Sequence, residues 1–238
     1  MFFFPISDVN ATKNKPIISW IILLSCILIF IYQKNLGYHF EQTIILTFGM
    51  IPSVLFKISQ LPNELVIIPS YMTLVSSMFL HGGWMHLIGN MAYLYIFGDN
   101  IEDELGKIKF IIFYIFCGIF AGLSQALINI NSDIPMIGAS GAISGILGAY
   151  LILFPKKDIK VFFWFFIFIK IFRIPAMYVI GCWIFIQFFS LNNTEESNIA
   201  YVAHIGGFIA GIIFIITLRK KISKQTKKLT KGSLPNSN

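Results

Sequence analysis

The sequence predicts an all-α fold: a polytopic membrane helical bundle with six transmembrane helices, N-in and C-in. Three observations predict it. Of 238 residues, 56% are hydrophobic and only 12% charged, against about 25% charged in an ordinary soluble domain; mean hydropathy is +0.77. Six stretches approach the roughly 20 mostly apolar residues that a helix needs to cross a bilayer. All but Lys34 and Lys57 of the 18 Lys and Arg then fall on one side, as the positive-inside rule requires.

The spans are expected at 17–32, 83–98, 108–128, 139–154, 174–189 and 199–218. The first follows Lys13 and Lys15 but is not followed by a small-residue cleavage site, so it reads as a retained helix rather than a signal peptide. The second is the least apolar, because it carries His86 and Asn90. The fourth is rich in glycine. The apolar run 159–190 is too long for one helix and is broken by Lys170, Arg173 and Pro175. It reads as an interfacial segment followed by the fifth span. The outer loop 35–81 is too apolar for a solvated linker and is expected to form short helices in the outer interface.

These boundaries give a cytoplasmic segment 1–16, a membrane domain 17–218 and a basic cytoplasmic tail 219–238, expected to be disordered and to touch anionic lipid. The net charge of +7 does not point to nucleic acid, because its residues sit in loops and the tail. Cys26, Cys117 and Cys182 each lie in an apolar run and read as small buried hydrophobes, not as disulfides or metal ligands. No cofactor is called for.

Spans two, four and six run from outside to inside in this topology. Each carries polar or reactive residues near its outer end: His86 and Asn90, one turn apart on one face; Ser140; and His204. Polar groups at this depth are costly and are functional candidates. A serine within reach of a histidine is the minimal activated nucleophile. The N–H of Ser140, at a helix N-terminus, is a donor without an intrahelical partner, and His86 and Asn90 could add side-chain donors for an oxyanion. Small-residue ridges at Gly141/Gly145, Gly207/Gly211 and Gly118/Gly122 would let helices approach closely and bring Ser140 to His204. No carboxylate lies near this site in spans four or six, so a Ser–His dyad without an Asp member is expected. His81 and His39 read as structural and solvated.

The run HGGWMHLIGNM at 81–91 resembles the second-helix signature of the rhomboid intramembrane proteases. GASGAISG at 138–145 resembles their nucleophile motif, and AHIGGFIAG at 203–211 their histidine motif. GDNIED at 98–103 resembles the turn after their second helix, and FPISD at 4–8 and FGMIP at 48–52 resemble the bacterial six-span group. The resemblance implies a serine endopeptidase with Ser140 as nucleophile, His204 as general base, His86 and Asn90 lining the oxyanion site and Gly138 opening the nucleophile motif. It implies single-span transmembrane substrates and gating by the fifth helix and the loop 190–198. Ser144 stands where some members carry an aromatic ring that packs on the histidine, which leaves the support of His204 open.

Two other readings compete. A non-catalytic relative that binds membrane clients would usually lose the nucleophile or base, and both are present. A transporter would favour internal repeats and a midplane site, and neither is read here. The expected home is a bacterial cytoplasmic (inner) membrane, with the site toward the outer face.

Overall fold

Glycine and small residues decide which helix occupies the centre. The computed structural model describes residues 2–191 and 200–232. In it, helix α7 (Ser140–Leu153) is buried at every position from Gly141 to Tyr150. Helices α5 (Trp84–Leu105), α6 (Lys107–Ile128) and α9 (Tyr201–Gly232) pack around it. The ridges of α7 and α9 meet as their spacing suggests: Gly207 lies against the backbone of Gly141, and Gly211 against that of Gly145. The Gly118/Gly122 ridge of α6 serves another purpose. It receives Met78, Leu74 and Met50 from the outer loop.

Helix α1 (Ile17–Asn35) packs on α5, and its start is capped from a distance. The Glu102 carboxylate accepts the Ile18 N–H at 2.9 Å, the Ser19 N–H at 2.7 Å and the Ser19 hydroxyl at 2.9 Å. Next to it, Asp103 accepts the Lys13 and Asn14 N–H groups at 2.8 and 3.1 Å. Carboxylates at a helix N-terminus satisfy orphan donors and meet the positive end of the dipole. The GDNIED run is therefore not a turn, as its resemblance suggested. It forms the last turns of α5, which stops at Gly106 with φ 74°. Because Glu102 is buried, Glu102→Ala should destabilise the chain by about 2–4 kcal/mol through unmet donors, read as a lowered thermal midpoint in detergent micelles.

The outer loop forms short helices, as expected. They are α2 (Tyr38–Phe48), α3 (Pro52–Leu55), α4 (Thr73–Ser76) and three 3₁₀ turns. A bridge from Met50 to Met136 and a hydrogen bond from Gly138 N–H to the Ser77 carbonyl at 2.9 Å tie this loop to the segment before α7. Asp133 secures the same junction, accepting from Ser53 and Ser59 at 2.5 and 3.0 Å; these hydroxyls hold its carboxyl below the usual range.

The all-α expectation fails at one place. β1 (Phe2–Asp8), β2 (Asp158–Phe165) and β3 (Phe168–Pro175) form an antiparallel sheet in that order. The segment read as interfacial is this hairpin, with Lys160 opposite Arg173. Its run of Ile, Val, Phe and Trp suits a pleated surface, and the missing partner strand comes from the far N-terminus. Helix α8 (Ala176–Phe189) follows directly.

Among the described residues, Ile17–Asn35, Lys107–Ile128 and Tyr201–Lys220 are long and apolar enough to cross a membrane, and α7 and α8 are apolar but shorter. α9 continues as helix through Gly232, beyond the point where the sequence ends its sixth span. Residues 192–199, which make up most of the segment 190–198 expected to gate entry, lie outside the described residues. Cys26 and Cys117 are buried, but Cys182 is exposed on α8, because the outward face of that helix is open.

Candidate active site

Each site residue is placed by a different constraint. Ser140 opens α7, so its N–H lacks an intrahelical partner. Gly138, two residues earlier, has φ +123°, a conformation that side chains rarely adopt. A Cβ there would also lie 2.6 Å from His86 Nε2 and 3.6 Å from Asn90 Nδ2. Glycine is thus required twice, by backbone and by space, and its absence of a side chain brings the α5 pair against the segment that leads into Ser140.

His204 sits in the first turn of α9. That turn is held by Gln125 on α6, whose amide oxygen accepts the Ala203 N–H at 3.3 Å, and by the Ala200 carbonyl, which accepts the His204 N–H at 3.2 Å. The close α7–α9 packing then sets the separation of the two side chains. Ser140 Oγ lies 2.9 Å from His204 Nε2. The four residues that the topology put at one depth are assembled around Gly138 and Ser140. Asn90 is buried, His86 is exposed, and Ser140 and His204 are half-buried.

Three residues read as structural or not singled out at all take part in this arrangement. His81 is fully buried, with its Nε2 3.0 Å from Asn90 Nδ2, so one amide hydrogen of Asn90 is committed and the other has no hydrogen-bond partner among the described residues. The His81 and His86 rings meet edge to face at 5.1 Å. From α8, Gln187 places Oε1 2.8 Å from His204 Nδ1. Trp183, one turn earlier, lays its ring beside the imidazole with centroids 5.9 Å apart and planes inclined by 36°. The Ser144 hydroxyl turns to its own helix, donating to the Ser140 carbonyl at 2.7 Å. The ring contact that the sequence resemblance looked for at position 144 comes instead from Trp183 on α8. A Gln four residues after a Trp in an otherwise apolar span was the available signal for this pair.

A helical membrane bundle with a Ser–His pair at the head of its central helix is the class of protein these features define. A family profile described as Rhomboid domain matches residues 69–221, and the chain belongs to the rhomboid family. It is similar to Rhomboid protein 1, mitochondrial, of Saccharomyces cerevisiae, with 28% identity over 83% of this chain and 57% of that protein. It is also similar to RHOMBOID-like protein 5 of Arabidopsis thaliana, at 35% identity over 42% of this chain and 33% of that one. Rhomboid-like protease 3 of Toxoplasma gondii matches at 26% identity over 64% and 54%. The chain spans from a third to somewhat over half the length of these relatives.

Proposed function

We propose that this chain is an intramembrane serine endopeptidase that cleaves single-span transmembrane proteins near the outer face of the membrane. The observation that carries the reading is the 2.9 Å contact between Ser140 Oγ and His204 Nε2, at a helix N-terminus with Asn90 and His86 alongside. Six spans with both termini inside give the topology. The helices α1, α5, α6, α7, α8 and α9 supply them, and the Lys and Arg distribution supports the orientation.

In this reading His204 Nε2 takes the hydroxyl proton as Ser140 Oγ attacks the scissile carbonyl carbon. The carbonyl oxygen becomes an oxyanion, which the Ser140 N–H and the other amide hydrogen of Asn90 stabilise, with His86 beside them. Collapse breaks the C–N bond, and His204 returns the proton to the leaving amine. His204 then deprotonates a water that hydrolyses the Ser140 ester and releases the new carboxylate.

The deciding experiment is cleavage of a labelled single-span substrate in proteoliposomes by the native chain and by Ser140→Ala, with cleavage expected from the native chain alone. A second prediction concerns the oxyanion. Asn90→Ala should lower kcat by about 10²-fold, measured on the same substrate; an unchanged kcat would leave Asn90 as a structural partner of His81.

A further inference from the structure

Helix α8 carries one polar residue that its surroundings do not explain. Its buried residues are Ala176, Val179, Ile180 and Gln187, so in its outer half Gln187 alone is buried, while Phe185, Phe188 and Phe189 are more than half exposed. A polar side chain turned inward from an apolar helix costs free energy unless it is hydrogen-bonded. Its partner is the base of the Ser–His pair.

We propose that Gln187 is a positioning residue for His204: its amide oxygen, carried by α8, holds the imidazole in the tautomer and orientation that can accept the Ser140 proton. The inference rests on the protease reading above. A neutral imidazole has one N–H and one lone pair. For Nε2 to accept from Ser140 Oγ, the proton must reside on Nδ1, and an amide oxygen 2.8 Å from Nδ1 can only accept. The amide is itself oriented, because its Nε2 donates to the Trp183 carbonyl at 3.5 Å, which turns Oε1 toward the histidine. The Trp183 ring beside the imidazole then limits its rotation. Among the described residues these two hydrogen bonds, to Ser140 and to Gln187, account for both ring nitrogens. A neutral amide does the orienting task of a carboxylate without placing a charge at this depth, where ionised groups are costly. The same bond fastens the outer half of α8 to α9, so the alignment of the base and the seat of α8 are one variable.

The test uses the full chain in proteoliposomes, with a fluorophosphonate probe for Ser140, a single-span substrate for kinetics, and ¹⁵N-histidine spectra with His204 assigned by its own substitution. The orienting carboxylate of a serine protease triad is worth about 10⁴ in kcat; for a neutral amide, Gln187→Leu should lower probe labelling and kcat by about 10- to 100-fold with KM within about twofold. Gln187→Glu, which keeps an acceptor oxygen, should recover most of the loss. The native spectrum should show the proton of His204 on Nδ1, and Gln187→Leu should show a mixture of tautomers. Native-like labelling and an unchanged tautomer in Gln187→Leu would overturn the proposal, as would a rate loss that Gln187→Glu does not relieve. The tautomer readout needs no substrate, so it judges the Gln187 contact even where an unlabelled native chain counts against the protease reading.

Discussion

Ser140→Ala should abolish cleavage of a single-span substrate, lowering the rate by at least about 10⁴-fold, while helix content and thermal midpoint stay at native values. The two halves of that expectation have separate origins. Among the described residues the hydroxyl makes one hydrogen bond, to His204, and Ser140 is half-buried, so losing Oγ costs about 1 kcal/mol of stability or less. Its N–H and the α7 N-terminus remain, so the oxyanion donors remain too. What disappears is the atom that forms the covalent bond. Residues acting as a unit are not additive, so adding His204→Ala to Ser140→Ala should lower the rate no further. Substantial cleavage by purified Ser140→Ala would remove Ser140 from the chemistry, and an extra loss in the double variant would assign His204 a task apart from it.

How far the sequence reveals this arrangement depends on whether its signals are local. The helices are legible because apolar length is a property of contiguous residues. The gathering of His86, Asn90, Ser140 and His204 is legible because the charge bias, once used to assign a direction to each expected span, sets all four near the same ends of their helices. The sheet is not legible. β1 and β2 pair across some 150 residues, Phe4 opposite Phe162, and an apolar run without alternation fits a strand as well as an interfacial helix. The α5 boundary is misplaced for a similar reason. Glu102 and Asp103 look like turn residues until their partners at the start of α1 are known. Gln187 is missed because its partner lies on another helix: a Gln one turn after Trp183 in an apolar span stands out, but α8 alone does not say that it meets His204. His81, read as structural, is oriented through Asn90, a partner nine residues later on the next helix.

Gly207→Val should have the other large effect, and on two readouts at once. A Cβ at Gly207 would fall on the Gly141 carbonyl oxygen and within 3.3 Å of the Ala121 side chain. Neither a backbone carbonyl nor a buried helix can yield as a flexible side chain does. The fault would therefore be taken up as separation of α9 from α7. Overpacking commonly costs about 1–3 kcal/mol, and the upper end or beyond is expected where the obstacle is backbone. The same separation would lengthen the Ser140–His204 contact, since Gly207 lies on the His204 face of α9 and Gly141 adjoins Ser140. A displacement of about 1 Å in such a contact can cost about 10²-fold in rate. Gly181→Val supplies the control. It too is a glycine within an apolar helix, but a Cβ there meets nothing within 4 Å, so its thermal midpoint and cleavage rate should stay native. If Gly207→Val matched Gly181→Val in both measurements, close α7–α9 packing could not be what brings the histidine to the serine.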